Sequence, residues 1–245
     1  GSAKDQVDGI VIDNNIFVNV LGTAIYLRDG RDAPGQYSSG ISVQNNAIQS
    51  PASAGTVDFN AGSGMVIMGA ENSTISGNVI LNAAYNGIQL GRCKDVTVSG
   101  NTATGASQPA LQVAQWNAGT ITVSGNTFST LSAIKAAVRL YGFTDNCFPQ
   151  FVFTGNLIKD SKNGVQIGRE DTGLNDILNA DYSFSGNTFS NMGTYRLVVY
   201  LGAVASDAEL TEMNALFAQV YATGSTAKAT TSAVPFTYIA IPNAV

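Results

Sequence analysis

The residues with chemical potential in this chain are charged side chains and amides that recur at similar intervals. Charged or aromatic residues follow a series of short apolar segments: Arg28, Asp29, Arg31, Asp32, Glu71, Arg92, Lys94, Asp95, Trp116, Asp145, Arg169, Glu170, Asp171 and Asp176. One position inside those segments reads Tyr26, Val66, Gln89, Gln112, Arg139, Gln166 and Val199. Amides, arginines and aromatic faces bind the hydroxyls and carboxylates of sugars. The pattern indicates a sugar-binding edge, or else charges that have simply collected on solvated turns.

Motifs for other common site chemistries are absent from the sequence. The chain has no histidine, which excludes Ser-His-Asp triads, histidine metal sites and histidine general bases. It also lacks a GK[ST] phosphate loop, a GxGxxG motif after a strand and the GGxGxD calcium repeat. Glu170 and Asp171 offer two carboxylates to Ca²⁺, which alone is weak support for a metal site. We therefore predict no cofactor and no resident metal.

A repeated phrase predicts the elements that position these residues. Its anchor is an asparagine, at Asn15, Asn46, Asn78, Asn101, Asn126, Asn156 and Asn187, with spacings of 31, 32, 23, 25, 30 and 31 residues. A period of about 20 to 35 residues with strand-like content is typical of a solenoid. A second strand per repeat, in segments such as GIQLG and GVQIG, falls midway between anchors and carries the glutamines and Arg139.

Inside the phrase, apolar and polar residues alternate as on a strand with one buried face. The residues three before and two after the anchor are apolar in every repeat, as with Val123 and Phe128 around Asn126. Glycine or asparagine directly precedes each anchor, and both tolerate the positive φ of a tight left-handed turn. We interpret the anchors as a structural ladder that satisfies buried turn groups, and not as catalytic residues.

Stacked strands with short turns resemble the right-handed parallel β-helix of the pectate-lyase-like superfamily, across roughly residues 7–203. We therefore predict an all-β fold, a single right-handed parallel β-helix of about seven coils at residues 1–205. Residues 206–245 are predicted to form a C-terminal capping helix, a linker and a final strand, because Ser206 and Glu209 make a capping box ahead of helical spacing. Gly1-Ser2 looks like an expression scar, and no cap precedes the first coil, so N-terminal truncation is expected.

The resemblance implies a secreted or tailspike-like protein that cleaves an extracellular polysaccharide. For a lyase, the catalytic candidate is Arg139 flanked by Arg92, Arg169 and Asp145, since cations neutralise a uronate carboxylate. For a hydrolase, Asp145 would pair with Glu170 or Asp171, because one or two coil spacings approximate the carboxylate separations of about 5.5 or 6.5 to 9.5 Å that such enzymes use. The expected substrate-binding residues are Gln89, Arg92, Gln112, Trp116, Gln166 and Arg169.

A non-catalytic stalk, adhesin or receptor-binding module is the alternative, and the low charged fraction of 12 % favours it. A net charge of −5 argues against nucleic acid as a partner, and the sequence predicts no membrane span. A glycan partner, an extracellular or virion-surface location and a homotrimer are expected from the resemblance. Cys93 and Cys147 fall about two coils apart, roughly 10 Å, which predicts no disulfide unless a loop bends them together.

Overall fold

A computed structural model describes residues 7–29, 37–52, 61–114, 116–141, 149–168, 181–201 and 237–240. Within these ranges the chain contains only strands and turns, wound into a right-handed parallel β-helix. All the strand pairs in this part of the chain are parallel. The predicted fold class is thereby confirmed. The predicted capping helix, after residue 205, lies outside the described residues.

The strands follow the chain in a regular succession. They are β1 Val11–Asp13, β2 Ile16–Val18, β3 Ile25–Arg28, β4 Ser38–Ser39, β5 Ser42–Gln44, β6 Ala47–Gln49, β7 Met65–Met68, β8 Ala70–Ser76, β9 Val79–Leu81, β10 Ile88–Gly91, β11 Lys94–Ser99, β12 Thr102–Ala106, β13 Leu111–Val113, β14 Ala118–Ser124, β15 Thr127–Thr130, β16 Ala136–Leu140, β17 Gln150–Thr154, β18 Leu157–Ile167, β19 Asp181–Ser185, β20 Thr188–Leu201 and β21 Thr237–Ala240.

Two curved sheets enclose the core. The first sheet has the strand order β1-β5-β8-β11-β14-β17-β19, with β4 paired to β8. The second sheet runs β2-β6-β9-β12-β15-β18 and returns through β16-β13-β10-β7-β3, because the long strand β18 spans both faces. Strand β20 pairs with β18 on one side and with β21 on the other. Each strand therefore stacks on the equivalent strand of the previous coil.

The seven anchor asparagines form a continuous ladder at the turn between the two sheets. In each step, the Oδ1 atom of one asparagine accepts hydrogen bonds from the backbone N and the Nδ2 of the asparagine one coil earlier, at 2.8 to 3.0 Å. The six from Asn46 onward are buried, with at most 5 % of their surface exposed. The turn residue before Asn101 is Gly100, with φ of 61°, as the left-handed turn requires. The ladder is thus structural, as predicted.

The core lies along the axis of the solenoid and is built from columns of like side chains. Val98, Val123 and Phe153 stack in one column and are at most 1 % exposed. Near the C-terminal end, the rings of Phe153 and Phe184 lie with their centroids 5.6 Å apart. Burying a side chain of this size contributes about 1.5 to 3 kcal/mol, so repeated columns stabilise each coil through its neighbours.

Candidate functional site

The structure brings the predicted polar row together on the second sheet. Tyr26 pairs with Val66, and the row continues through Gln89, Gln112, Arg139 and Gln166 on β10, β13, β16 and β18. Adjacent parallel strands lie about 4.8 Å apart, so these side chains are evenly spaced. Beyond Gln166 the row was expected to continue with Val199. That residue pairs instead with Ile167, and Val198 takes its place, because the register between β18 and β20 shifts after Ser161.

Burial changes what this row can contact. Gln89, Gln112 and Gln166 are 6 %, 7 % and 4 % exposed, so this face is covered along most of its length. Two of the three amides are used within the protein. Gln89 Oε1 accepts a hydrogen bond from Asn86 Nδ2 at 2.8 Å, and Gln166 Nε2 donates to the Gly168 carbonyl at 3.0 Å. Gln112 makes no hydrogen bond from its side chain to any described residue.

Arg139 is the charged residue of the row. It is half-buried, and its guanidinium Cζ lies 4.4 Å from the centroid of the Tyr141 ring, a cation–π arrangement. Its Nε is buried without a hydrogen-bond partner. The ion pairs among the described side chains are Lys94–Glu71 and Lys159–Asp160, so no described carboxylate neutralises Arg139. A half-buried cation held on an aromatic face beside the Gln112 amide suits an anionic, planar group.

Arg92 was expected beside this row as a substrate-binding residue. It follows β10 in a left-handed conformation, with φ of 52°, and only 4 % of its surface is exposed. Its Nη2 donates to the backbone carbonyl of Asp29 at 3.4 Å, two coils earlier. Trp116 also has a positive φ, of 59°, and is half-buried. Both residues lie on the turns after the second strand of their coils, as the sequence indicated.

Several other charges on these turns hold neighbouring coils together. Lys94 Nζ lies 3.7 Å from Glu71 Oε2, and Asp95 Oδ1 accepts a hydrogen bond from the backbone N of Thr120 at 2.8 Å. Asp29 Oδ2 accepts from the Ser38 hydroxyl at 2.8 Å. Part of the charged edge is therefore structural, which agrees with the interpretation of the charges as turn residues.

Asp145, Arg169, Glu170 and Asp171 lie outside the described residues. Over the described ranges, no group of three or more cysteine or acidic side chains is arranged to hold a metal ion. In the same ranges, no helix is long and apolar enough to cross a membrane.

Cys93 is a buried free thiol next to this edge, and Cys147 lies outside the described residues. Burial raises the pKa of the Cys93 thiol from 9.0 to about 11, although hydrogen bonds from nearby backbone groups and the charge of Arg92 oppose that rise. Its backbone N donates to Asn117 Oδ1 at 2.9 Å, and its Sγ lies 3.4 Å from the Gly91 carbonyl. A thiol with a raised pKa is a poor nucleophile, so Cys93 is a packing residue.

Two residues that contact the polar row were not predicted from the sequence. Tyr141 supplies the ring under Arg139, and Asn86 holds the amide of Gln89. Tyr141 comes directly after β16 and two residues after Arg139. Residues two apart in an extended chain share a face, so continuing the alternation of β16 by one residue would have indicated this contact. Asn86 precedes β10 in a turn, where the sequence pattern does not define side-chain direction.

Comparison with known proteins agrees with this architecture. A family model described as right-handed beta helix region matches residues 3–189, which is more than half of the chain. No curated protein and no solved structure was found to match. The coils, the parallel registers and the family match together show that the chain belongs to the right-handed β-helix family.

Proposed function

We propose that this β-helix domain binds an acidic extracellular glycan at the Arg139 site, defined here as Arg139, Tyr141 and Gln112. The observation that carries the proposal is the half-buried Arg139 guanidinium on the Tyr141 ring with no described carboxylate partner. A uronate carboxylate accepts charge-assisted hydrogen bonds from a guanidinium, and a sugar ring packs on an aromatic face. Gln112, one strand away, is 7 % exposed, and its amide, which has no hydrogen bond to a described residue, can serve a hydroxyl of the same sugar.

The test is a calorimetric titration of uronate oligosaccharides against the parent chain and an Arg139→Ala variant. Hydrogen bonds to charged groups contribute about 1.5 to 3 kcal/mol, so we expect the variant to bind about 10- to 100-fold more weakly. Arg139→Lys keeps the charge but loses the planar fork and should show an intermediate affinity. Lys159→Ala is the matched control, because Lys159 is an exposed cation on β18, away from the row.

A neutral oligosaccharide of equal length separates recognition of the carboxylate from binding to the sugar ring. We expect it to bind the parent and Arg139→Ala equally and weakly. Equal affinity of both proteins for the uronate ligand would contradict the proposal. So would the absence of binding to any acidic glycan tested.

Cleavage is a further part of the proposal and needs its own measurement. A lyase or a hydrolase would use Arg139 or the acidic residues Asp145, Glu170 and Asp171, as the family resemblance implies. Incubating the chain with uronate polysaccharides and measuring unsaturated or reducing-end products tests this directly. Product formation that Arg139→Ala abolishes would support a lyase, and product formation that only Asp145→Asn or Glu170→Gln abolishes would support a hydrolase.

A non-catalytic structural or receptor-binding module is the second candidate, and one observation favours it. Gln89 and Gln166 are buried and already hydrogen-bonded within the protein, so they support the fold instead of facing a ligand. A bound glycan without cleavage products would support a binding module. An extracellular or virion-surface location and a homotrimer complete the proposal, and light scattering of the purified chain measures the number of subunits.

A further inference from the structure

Exposed aliphatic side chains concentrate on one side of the solenoid. The large hydrophobic residues that are exposed, within the part of the chain that the structure describes, are Val7, Val11, Ile16, Val18, Leu21, Tyr26, Val79, Leu131 and Ile134. Six of these nine lie on the outward face of β2 and β9 or in the turns that follow β2 and β15: Ile16, Val18, Leu21, Val79, Leu131 and Ile134. Single exposed apolar residues are normal, but their concentration on one side indicates an interaction surface.

The strands on this side carry an outward column without charge. In register from the first coil to the last, it reads Ile16, Ala47, Val79, Thr102, Thr127, Leu157 and Thr188. Aliphatic residues occupy its first three coils, where Ile16 is 78 % exposed and Val79 is 42 % exposed. Residues 16–22, 47–52 and 79–85, which form this side of the first three coils, contain no charged residue. We define the apolar patch as Ile16, Val18, Leu21, Ala47, Val79 and Leu81.

The outward column of the first sheet shows that exposed strands in this protein do not require aliphatic side chains. That column reads Val11, Ser42, Thr74, Thr97, Thr122, Val152 and Ser183, so hydroxyl residues occupy five of its seven positions. Threonine favours strands as valine and isoleucine do, without exposing a fully apolar side chain. Strand formation alone therefore does not explain Ile16 and Val79, whereas burial against another apolar surface does.

We propose that a second copy of this chain docks on the apolar patch, side by side, with the same ends of the two solenoids together. In this arrangement equal coils meet, so the patch of one copy covers the patch of the other. The opposite arrangement would place the patch against Thr188, Ser190 and Lys159 on the later coils, which are polar. The inference rests on the homotrimer in the proposed function, names the surface through which its copies meet, and does not involve the Arg139 site.

The size of this side of the solenoid suits a contact between copies. Outward residues are about 4.8 Å apart between strands and about 6.6 Å apart along a strand, so each covers about 30 Å². Two outward columns and the adjoining turn column over seven coils present about 600 to 700 Å². A specific interface buries about 800 Å² on each partner, which is comparable.

A membrane surface suits the patch less well than a second copy does. Peripheral binding to anionic lipids combines apolar insertion with lysine or arginine side chains. The uncharged residues 16–22, 47–52 and 79–85 provide no such cation, whereas an equally uncharged patch on a second copy requires none.

The test is sedimentation equilibrium of the full chain and of Ile16→Glu and Val79→Glu variants. We expect the parent to self-associate, and each variant to associate about tenfold or more weakly, because a charge would be buried against an apolar surface. Ile16→Ser gives the same direction of change without a new charge. Val11→Glu is the matched control, because Val11 lies on the same coil and is 68 % exposed, but belongs to the first sheet. We expect it to associate like the parent, and all variants to keep the parent's melting temperature.

Cysteine crosslinking tests the orientation of the copies. Val18→Cys should form a disulfide-linked pair under mild oxidation, since equal coils are adjacent when the same ends lie together. A mixture of Val18→Cys and Ser190→Cys should give no mixed pair, because these residues lie on the first and the last described coils.

Three outcomes would overturn the inference: a monomeric parent, Val11→Glu weakening association as much as Ile16→Glu, or crosslinking only in the mixture of Val18→Cys and Ser190→Cys. Titration of the same proteins with uronate oligosaccharides separates this inference from the glycan proposal. A monomeric parent that binds the oligosaccharides through Arg139 would refute the apolar patch alone. Self-association through the patch without binding of any acidic glycan would refute the glycan proposal alone.

Discussion

Replacing Asn101 with alanine should destabilise the solenoid, because this side chain connects three coils. Its Oδ1 accepts from the backbone N and the Nδ2 of Asn78, both at 2.9 Å. Its Nδ2 donates to the Ile75 carbonyl at 2.9 Å and to Asn126 Oδ1 at 3.0 Å. Asn101, Asn78 and Asn126 are at most 1 % exposed, so water cannot replace the lost bonds.

The magnitude follows from counting the groups that lose a partner. Alanine leaves four buried groups with one bond fewer: the backbone N of Asn78, its side-chain amide, the Ile75 carbonyl and Asn126 Oδ1. At about 1 kcal/mol for each buried group, Asn101→Ala should lower the free energy of unfolding by about 4 kcal/mol. Urea unfolding followed by circular dichroism measures this as a lower midpoint, with the slope unchanged if the compactness of both states is unchanged.

Asn15→Ala is the matched control for this measurement. Asn15 occupies the same position in the repeat, but it is exposed, and its Nδ2 bonds to the Asp13 carbonyl and Asn46 Oδ1 can be replaced by water. We expect a loss below about 1 kcal/mol. If Asn101→Ala costs no more than Asn15→Ala, the ladder does not stabilise the fold by burial of its hydrogen bonds, and the reasoning is refuted.

Two further predictions concern the core of the coils. Because the pKa of Cys93 is raised, the folded state holds the thiol proton more tightly than the unfolded state, and the stability this provides is complete below pH 9 and is lost as the pH rises toward 11. Between these two pH values the free energy of unfolding of the parent should fall by about 3 kcal/mol more than that of Cys93→Ala, measured by urea unfolding at each pH. The same pH dependence of stability in both proteins would contradict this. Burial also raises the pKa of Tyr182, so both proteins lose some further stability at alkaline pH by the same amount. Gly87→Ala should lower the free energy of unfolding by about 3 kcal/mol, because a Cβ at that position would overlap the Ala110 carbonyl oxygen. Gly100 has open space around it and φ of 61°, so Gly100→Ala should cost only about 1 kcal/mol. Similar melting temperatures for the two variants would contradict this prediction.

The anchor ladder and the core columns could be predicted from sequence because their physics is local and repetitive. Side chains alternate on a strand, and only glycine or asparagine enters the left-handed turn cheaply, so spacing alone placed residues such as Val123 and Asn126. The register of Gln89, Gln112 and Arg139 followed from the same repeat, since equal positions in stacked coils become neighbours. The register shift of β20 could not be predicted from the sequence. Ser161 and Asn163 pair with Met192 and Tyr195, and the extra residue between these two partners leaves no mark on the apolar pattern.

Burial along the polar row was decided only by the tertiary structure. The alternation predicted which face Gln89 and Gln166 occupy, but it carries no information on what covers that face, and both are buried. The contact of Arg139 with Tyr141 likewise depends on a rotamer and on the absence of a described acid nearby, which distant segments determine. The exposure of Asn15 is a tertiary property too, because it depends on what lies against the first coil, while its own sequence matches every other anchor. Local periodicity thus specifies the solenoid, and the three-dimensional neighbours of each coil specify which of its groups remain available for binding.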